Sequence, residues 1–594
     1  MKKKSFIYLV FWILPFVAFT QWSNNPNQNI MIADTTGTQI LPIVVSNSLG
    51  ETYISWQSEF GNLNFDVYLQ KFDKSGVKLW DESGLQISNH ETATWISRYD
   101  MKLDNDENVI LVNQDQRTGH SNVFAYKISP SGEFLWGNDG VQLSNTTEGD
   151  YSPIMAVADN NDVVFIWGDD PADTLINSKI FVKRVSAEGS ILWESVLADT
   201  VYDFMLPQIL KTTNNDFIVS WMTKLNLVDT TLGETNWMHA FAQKFDTDGQ
   251  AVWENNIQID SGQIMPYESL FTTPYLESDE NGGAYVLWQS FTPVHHGGMP
   301  TTYLNRLFND GVLWKPNGYN VSQLVENNHT EAQMIYMQDV DKIMVCWKEY
   351  HYGGTDCWGV RGQLFDANGN YLWADTGKVI VPLICTVDTA YGGICLDEST
   401  NNNALLIYNK DYRHIVATDT SFKTDIFAML IDTDGEMVWS PSIVPLSLTN
   451  SNKYQSALSN LGDNQWVLAW NDNISDPNQL NDYGTYAQNI SVDGTIGPVG
   501  IINNPLLNNP EVKISPNPCS NTVSIDFNLN TKSNVKIDLL DMNGHFVKQL
   551  FEGVKFHGLV HINTLVSDLL SNVYLVRLQL NNSTSYHKII KVSN

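Results

Sequence analysis

Short apolar runs alternate with polar turns along most of the chain, and they predict a protein built from β-strands. The segment 151–196 illustrates the pattern with four runs, 153–158, 163–167, 180–186 and 191–196. These runs are rich in β-branched and aromatic residues. They are bounded by Asn, Asp and Gly, which tolerate the positive φ angles of hairpin turns. We therefore predict a unit of four short strands.

This unit repeats, because a turn followed by a tryptophan recurs at a spacing of about sixty residues. The copies end at Trp80, Trp136, Trp193, Trp253, Trp314, Trp373 and Trp439, and a degenerate copy without tryptophan occupies 490–497. The second strand of the unit recurs as well. Its copies end at Trp56, Val112, Trp167, Trp221, Trp288, Trp347, Tyr408 and Trp470. Both series therefore count eight units.

Four-stranded units repeated in a ring are the design of a β-propeller, which closes on itself to protect its edge strands. We predict an all-β protein with an eight-bladed propeller, with seven blades as the alternative. The segment that begins with Gln21 and Trp22 resembles an outer strand of the repeat, so we expect the N-terminus to complete the last blade. The repeated tryptophans are expected to pack between blades.

The first residues have the features of a secretory signal. Lys2, Lys3 and Lys4 precede the apolar run 6–19, and a small-residue exit near Ala18 places cleavage before Gln21. The run is short for a stable membrane span, and no other long apolar run follows it. We expect an exported protein with no transmembrane segment.

Charge and cysteine content narrow the functional classes. The chain carries 34 Lys and Arg against 66 Asp and Glu, a formal net charge of −32. Such a surface repels nucleic acid, so no nucleic-acid partner is expected.

The five cysteines, an odd number, leave at least one thiol unpaired. Cys346 and Cys357 flank the loop 347–356 and are a possible pair, but the pairing register stays open.

Acidic turns such as 104–108 and 432–435 superficially resemble calcium loops. They lie between predicted paired strands and lack the spaced ligand series that ends in a bidentate Glu. We interpret them as hairpin turns. The sequence gives no reason to expect a metal or another cofactor, and it contains no motif of a known catalytic site.

The repeat ends near Gly497, and a polar, proline-punctuated linker follows. We divide the chain into a signal peptide at 1–20, a propeller at 21–500, a linker at 501–510 and a C-terminal domain at 511–594. Alternating apolar strands and an Asn543-Gly544 turn predict that this last domain is a small antiparallel β-sandwich.

Short motifs in the last domain resemble the C-terminal sorting domain of the type IX secretion system. They comprise Pro516-Asn517-Pro518, then Asp541 with Gly544 in a turn, then Tyr574, and finally a Lys-rich end that includes Lys588. Ser515 stands where the family commonly has Tyr, and Ser571-Asn572 stands where Gly is common. The resemblance implies passage through the outer-membrane translocon, with the mature protein attached to the cell surface or released.

The longest irregular segments of the units are expected to gather on one face of the propeller, around the mouth of its channel. They are 223–237, 289–302, 348–356, 409–425 and 471–484. Loops on a rigid scaffold are where binding residues concentrate. The candidate ligand-binding residues there are Trp237, His296, Tyr350, His351, Tyr412, Arg413 and His414. No catalytic residue is assigned.

Two functions fit this organisation. The first is a non-catalytic binding or adhesion module that recognises a glycan or a surface protein. The alternative is a carbohydrate-active enzyme, a lyase or a hydrolase, with its site at the channel mouth. Acidic residues are frequent, and spacing along the chain does not reveal which of them meet across a channel.

Overall fold

The computed structural model describes residues 21–33, 37–59, 61, 63–92, 98–171, 176–225, 238–260, 274–291, 300–324, 326–351, 356–416, 419–473, 483–498, 512–529, 533–540, 546–555, 558–580 and 583–592. The chain divides into two compact units, Met1–Val499 and Gly500–Asn594. We name them the body and the tail. No helix in the described residues is long and apolar enough to cross a membrane.

The described part of the body consists of strands and two short 3₁₀ turns, Gln338–Val340 and Thr400–Asn402. The strands of its first half are β1 (Ile30–Ala33); β2 (Gln39–Ser46), β3 (Thr52–Glu59), β4 (Phe65–Phe72) and β5 (Leu85–Ser88); β6 (Asp100–Leu103), β7 (Val109–Asp115), β8 (Asn122–Ile128) and β9 (Val141–Gln142); β10 (Gly149–Val157), β11 (Val163–Asp170), β12 (Ile180–Val185) and β13 (Ile191–Leu197); β14 (Tyr202–Lys211), β15 (Phe217–Leu225), β16 (Met238–Phe245) and β17 (Ile257–Gln258).

The strands of its second half are β18 (Tyr275–Ser278), β19 (Ala284–Phe291), β20 (Pro300–Leu307) and β21 (Tyr319–Asn320); β22 (Asn328–Met337), β23 (Lys342–His351), β24 (Cys357–Asp366) and β25 (Lys378–Cys385); β26 (Thr389–Glu398), β27 (Ala404–Val416), β28 (Asp419–Ile431) and β29 (Val444–Ser447); β30 (Lys453–Leu458), β31 (Gln465–Asp472) and β32 (Gly484–Ser491). The all-β class is confirmed.

These strands form eight four-stranded antiparallel sheets among the described residues, and seven of the sheets take four consecutive strands. The eighth combines β30, β31 and β32 with β1 from the start of the chain. In its register Ile30 lies opposite Ala487 and Met31 opposite Tyr486. The prediction that the N-terminal strand completes the last unit is confirmed.

The hydrophobic core of the body lies between consecutive sheets. The first strands of the sheets contact one another in cyclic order, from β2 through β6, β10, β14, β18, β22, β26 and β30 back to β2. A separate cluster of buried side chains fills each of the eight interfaces. The cluster between the last and first sheets contains Trp22, Val44 and Val467. The body is therefore a β-propeller-like ring of sheets.

The acidic turns are hairpin turns whose carboxylates are occupied by their own backbone. Asp246 Oδ1 accepts the N–H of Asp248 at 3.0 Å and of Gln250 at 2.8 Å. Asp432 and Asp104 each accept two N–H groups of their own turns in the same way. The interpretation of 104–108 and 432–435 as turns is confirmed.

Most of the tryptophans that follow the turns reach the turn of the next sheet, and Trp22 does the same from the start of the propeller. An indole Nε1 donates to the carbonyl oxygen two residues before the next turn's glycine in six cases. The pairs are Trp22 with Lys74, Trp136 with Ala187, Trp193 with Thr247, Trp253 with Asn309, Trp373 with Thr433 and Trp439 with Val492. The predicted packing of these tryptophans between neighbouring units is confirmed.

The turns need glycine beneath the indole for two reasons, a positive φ angle and the close approach of the ring. Gly249 has a φ of 80°, and a Cβ on it would lie 2.6 Å from the indole of Trp193. A side chain at this position would therefore strain the turn and displace the ring. Trp22 fills the same role against Gly76 and thereby replaces the tryptophan that the degenerate turn 490–497 lacks.

The aromatic residues at the ends of the second strands contact their own sheet as well. Trp56 stacks on Tyr68 with ring centroids 5.6 Å apart, and Trp167 stacks on Phe181 at 5.6 Å. Each of these pairs lies directly opposite across a strand ladder. The same tryptophans also belong to the clusters between sheets, so each of them packs both within its own sheet and against a neighbouring sheet.

The segment 409–425 is not a loop, and this corrects the sequence-based prediction. β27 continues to Val416 and pairs along its whole length with β28, whose first residue is Asp419. Tyr350 and His351 likewise end strand β23 rather than lying in a loop. Charged and polar residues in these segments suggested loops, but an extended hairpin tolerates them where a strand faces solvent.

The cysteine pairing also differs from the pair considered above. Cys357 forms a disulfide with Cys385, and Cys346 is a buried free thiol. The strand register explains the difference, because Cys357 lies opposite His351 on one side and Cys385 on the other. Cys346 lies opposite Gly362 instead.

The tail comprises β33 (Lys513–Ser515), β34 (Thr522–Leu529), β35 (Ser533–Leu540), β36 (Phe546–Lys555), β37 (Gly558–Leu565), β38 (Asn572–Leu580) and β39 (Ser583–Lys591). They form a three-stranded sheet, β33-β34-β37, and a four-stranded sheet, β36-β35-β38-β39. Side chains of both sheets, including Ile525 and Ile537, share one hydrophobic cluster.

The first tail motif is tied to the last strand. The side chain of Asn517 donates to the carbonyl oxygen of Lys588 at 2.9 Å and accepts the N–H of Ile590 at 2.8 Å. Tyr574 is buried, and its hydroxyl donates to the carbonyl oxygen of Leu570 at 3.0 Å. Pro516 and Pro518 flank Asn517, while Asp541 and Gly544 lie outside the described residues.

We expect replacement of Trp22 by Ala to destabilise the body by about 3–5 kcal/mol, the usual cost of truncating a buried tryptophan. The side chain is 1% exposed and closes the interface between the last and first sheets. Urea unfolding followed by tryptophan fluorescence would measure the change. Met31→Ala, at a 48% exposed position of β1, is the control. Equal midpoints for both variants would contradict the role assigned to Trp22.

Candidate functional site

The first strands of six sheets carry a β-bulge near the end opposite their tight turns. One residue at each bulge has a positive φ angle: Leu41, Ser152, Leu206, Glu331, Gly393 and Gln455. This conformation is unfavourable for residues with a Cβ, and such strain clusters at functional sites. A bulge also redirects the side chain that it carries. Glu331 and Gln455 thereby reach the wall of a large cavity.

This cavity has a volume of about 970 Å³ and opens at the bulged end of the first strands. Its walls come from the first, fifth, sixth, seventh and eighth sheets. The volume is that of a pocket for a ligand of several rings. The cavity is therefore the candidate functional site of the body.

Charged side chains on the cavity wall are paired with one another. Lys348 donates to Glu331 Oε1, and the N–H of Gly393 donates to Glu331 Oε2 at 2.9 Å. Lys423 forms an ion pair with Asp425 at 2.9 Å. The positive charges on the wall are thus balanced locally, which favours a ligand without a large charge of its own.

Lys453 helps to hold the cavity floor together. Its buried Nζ donates to the carbonyl oxygens of Thr424 at 2.7 Å and Thr449 at 3.1 Å, and lies 3.8 Å from Asp472. Burial lowers the pKa of this ammonium group to about 8. The contacts cross-link the seventh and eighth sheets at the site.

Two carboxylates approach each other beside a glycine. A Cβ built on Gly392 would lie 3.3 Å from Glu331 Oε2 and 4.0 Å from Asp411 Oδ2, so the absence of a side chain keeps the space between them open. Asp411 accepts the hydroxyl of Thr424 at 2.7 Å. Burial raises the pKa of the Asp411 carboxyl, and the charge of Glu331 adds to the rise.

Aromatic rings with exposed faces line the same cavity. Tyr275, Phe422 and Tyr454 are 40%, 46% and 48% exposed. Tyr454 is held edge-on by Tyr483, with ring centroids 5.2 Å apart. Such rings combine a flat apolar surface with, in tyrosine, a polar tip. They can therefore contact the apolar face of a ligand that also forms hydrogen bonds.

Several buried polar atoms on the cavity wall have no partner within the described part of the chain. They are Asn409 Oδ1, Asn471 Oδ1 and Ser456 Oγ. Buried polar groups in native proteins are almost always hydrogen-bonded, either to protein groups or to bound water. These three atoms can accept hydrogen bonds from a hydroxyl-bearing ligand.

A second pair of acids lies on the first strands β18 and β26. Burial raises the pKa of Glu277 to about 7, with Asp397 the next cause, and burial raises the pKa of Asp397 to about 6. The indole of Trp466 donates to Asp397 at 2.7 Å. This contact gives Asp397 a structural role between the seventh and eighth sheets.

None of the predicted ligand-binding residues that the structure describes lines the cavity, although two of them lie next to it. The hydroxyl of Tyr350 donates to Asp356 at 2.8 Å, and its ring lies 4.1 Å from Trp358, which does line the cavity. His351 Nδ1 lies 2.8 Å from Asn327 Oδ1. Tyr350 and His351 are thus engaged by neighbouring protein groups.

Tyr412 follows the cavity residue Asp411 on β27 and lies between two lysines, with Lys410 Nζ 5.0 Å and Lys423 Nζ 5.6 Å from its ring centroid. Arg413 is exposed. His414 belongs to β27, but its side chain lies outside the described residues. Trp237 and His296 lie wholly outside them.

Sequence reasoning missed Glu331, Lys348, Asp411 and Lys423. Two of them have no sequence signal, because the position of Glu331 depends on a bulge and that of Lys423 on the extended hairpin. Asp411 is adjacent to Tyr412, which the sequence did single out. The described residues contain no cluster of three His, Cys, Asp or Glu side chains suited to a metal ion.

Comparison with known proteins identifies the tail. Residues 513–592 match the family model of the secretion system C-terminal sorting domain. The resemblance stated from the tail motifs is confirmed. A sorting domain of this kind implies interaction with the type IX secretion machinery and a secreted or cell-surface location. No curated protein matches the chain.

Three solved structures are similar to the chain. The polysaccharide lyase Uly1 is 9% identical with a TM-score of 0.39, covering 78% of this chain and 91% of its own. A family GH93 α-L-arabinofuranosidase of Fusarium graminearum is 12% identical with a TM-score of 0.32, covering 54% and 91%. An endo-arabinase from Bacteroides thetaiotaomicron is 12% identical with a TM-score of 0.25, covering 51% and 100%. These likenesses do not bear on the chemistry of this chain.

We expect Glu277→Gln to stabilise the body at pH 8 and to leave its stability unchanged near pH 4.5. The pKa of Glu277 is raised from 4.5 to about 7, so the folded state keeps a proton that the unfolded state releases. The resulting stabilisation is present below pH 4.5 and is lost as the pH rises through 7. A neutral amide avoids that loss.

Thermal unfolding of both proteins across this pH range would measure the difference. Glu254→Gln, at an exposed turn position, is the control and should leave the pH profile unchanged. A constant difference between Glu277→Gln and the parent protein at all pH values would contradict the assignment.

Proposed function

We propose that this exported protein binds a carbohydrate in the cavity at the bulged end of its first strands. The observation that carries the proposal is the composition of the wall, which combines exposed aromatic rings with amide and hydroxyl oxygens that have no partner among the described residues. A sugar ring has an apolar face and a rim of hydroxyl groups, so it matches both features. Anionic ligands fit less well, because the lysines of the wall are already paired with carboxylates.

We also propose that the body is an eight-bladed β-propeller and that the tail is a β-sandwich. The cyclic contacts of the first strands and the eight interface clusters support the first assignment. The shared cluster between the two tail sheets supports the second. The proposed boundaries remain a signal peptide at 1–20, the propeller at 21–500, a linker at 501–510 and the sorting domain at 511–594.

In this proposal the sorting domain brings the propeller to the cell exterior, where it remains attached or is released. The cavity then meets extracellular glycans rather than metabolites of the cell. A surface protein is the other ligand class considered from the sequence. A deep cavity with polar atoms on its wall suits a chain of sugar residues better than a flat protein surface.

Cleavage of the bound glycan is the second candidate function. The approach of Glu331 and Asp411 around Gly392 favours it, because paired carboxylates are the usual catalytic groups of glycoside hydrolysis. Binding and cleavage can be separated in one experiment. The purified protein is incubated with a panel of neutral and acidic polysaccharides, and mass spectrometry reports both retained and shortened chains. Absence of both would contradict the carbohydrate assignment.

We expect Phe422→Ala and Tyr454→Ala each to weaken glycan binding by roughly fivefold, since an exposed aromatic contact contributes about 1 kcal/mol. Isothermal titration calorimetry with the retained oligosaccharide would measure the loss. Tyr202→Ala is the matched control, because Tyr202 is 40% exposed but does not line the cavity. A loss in the control equal to that in Tyr454→Ala would place the ligand elsewhere.

A further inference from the structure

We propose that the cavity hydrolyses glycosidic bonds, with Asp411 as the proton donor and Glu331 as the base that activates water. The inference rests on the proposed carbohydrate binding and extends it from recognition to chemistry. It is carried by the placement of the two carboxylates, which belong to different sheets and meet across Gly392.

The contacts around Gly392 set an upper limit on the spacing of the two groups. Glu331 Oε2 and Asp411 Oδ2 lie 3.3 Å and 4.0 Å from one point, the Cβ position of Gly392, so they are at most about 7 Å apart. Carboxylate pairs that hydrolyse glycosides through an activated water lie about 6.5–9.5 Å apart, so the proposed reaction uses the pair near this upper limit. A side chain at position 392 would occupy this space.

Glu331 is assigned the role of the base, and its carboxylate is held in place by two donors. Its backbone has a φ of 51° at the bulge of β22, and both of its oxygens accept hydrogen bonds, one from Lys348 and one from the N–H of Gly393. These donors hold the carboxylate in place and stabilise its charge.

Asp411 is assigned the role of proton donor. It lies on β27, with Thr424 of the neighbouring strand donating to Oδ1, and its other oxygen faces Gly392. The charged groups that act on it are Glu331, Lys348 and Lys453. Burial raises the pKa of Asp411 and the negative charge of Glu331 acts in the same direction, while the hydrogen bond from Thr424 and the two lysines oppose the rise.

The reaction balances with water as the only co-reactant. The water oxygen bonds to the anomeric carbon while the bond from this carbon to the leaving oxygen breaks. One water proton passes to Glu331, and the Asp411 proton passes to the leaving oxygen. After the products depart, solvent returns a proton from Glu331 to Asp411. No oxidation or reduction takes place.

The other acid pair does not offer the same chemistry. Asp397 accepts a hydrogen bond from Trp466. Among the described residues, no glycine lies next to both Asp397 and Glu277 in the way that Gly392 lies next to Glu331 and Asp411. Neither Glu277 nor Asp397 lines the large cavity. Glu331 and Asp411 both do.

The test uses the purified full-length protein with the polysaccharide panel and measures new reducing ends. Asp411→Asn should lose about a hundredfold or more in polysaccharide cleavage, the usual contribution of general acid catalysis, and should keep binding. The same variant should cleave the corresponding dinitrophenyl glycoside at nearly the parent rate, because this leaving group departs without a proton. Glu331→Gln should lose cleavage of both substrates. Asp388→Asn, at an exposed position outside the cavity, is the control.

Gly392→Ala provides a second variant that keeps both carboxylates and fills the space between them. Its φ angle is not in the left-handed region, so Ala is compatible with the backbone. We expect a loss of cleavage with an unchanged unfolding temperature. The rate of polysaccharide cleavage by the parent protein should fall as the pH rises. This fall should be absent from the pH profile of Asp411→Asn acting on the dinitrophenyl glycoside.

The outcomes separate the two proposals. Binding without any cleavage by the parent protein overturns the hydrolysis and leaves the carbohydrate-binding function intact. Neither binding nor cleavage overturns both. Cleavage that persists at the parent rate in Asp411→Asn and Glu331→Gln places the chemistry on other residues and overturns the assignment made here.

Discussion

The body depends on one repeated contact, an aromatic ring that reaches from one sheet to the glycine turn of the next and is an indole at every interface but one. The ring lies over a glycine with positive φ, and Nε1 donates to the carbonyl oxygen two residues before it, as Trp193 does to Thr247 next to Gly249. One side chain therefore contributes both apolar burial and a directed hydrogen bond. Each sheet contacts only its neighbours in this way. The contact made by Trp22 joins the last sheet to the first and thereby helps to close the ring of sheets.

The exception at Trp314 follows from the spacing between glycine and tryptophan. In most copies the tryptophan follows the glycine by four positions, as from Gly249 to Trp253, but from Gly311 to Trp314 it follows by three. Since side chains alternate between faces, a shift of one position sends the ring elsewhere. Trp314 packs against Tyr285, and Tyr319 takes its place over the glycine of the next turn.

These contacts also explain why the two ends of the sheets differ. The turns that carry the indole contacts join third and fourth strands, so they lie at the same end as the tight turns between first and second strands. That end is fixed by packing. The opposite end carries the bulges and the extended hairpin of β27 and β28, and there neighbouring sheets differ in length and side chains. The cavity lies at this second end, where neighbouring sheets differ from one another.

The repeat made the architecture of the body predictable, because Trp22 and the degenerate turn 490–497 are visible as complementary pieces of one unit. The tail was predictable from its short motifs. The candidate site was not, since a positive φ at Glu331 leaves no trace in the hydrophobic pattern. The hairpin around Tyr412 was mistaken for a loop because its strands are rich in charged residues. Register likewise decided that Cys357 pairs with Cys385 rather than Cys346.

If the proposed function is correct, the charge of the whole chain bears on which carbohydrate enters. A formal net charge of −32 creates a field that slows the approach of polyanionic chains at low ionic strength. The lysines of the cavity do not reverse this field, because Lys348, Lys423 and Lys453 each face a carboxylate. A cavity that attracted uronate or sulfate groups would need cations left unpaired. The arrangement therefore favours neutral sugars, which form hydrogen bonds to the wall without displacing an existing ion pair.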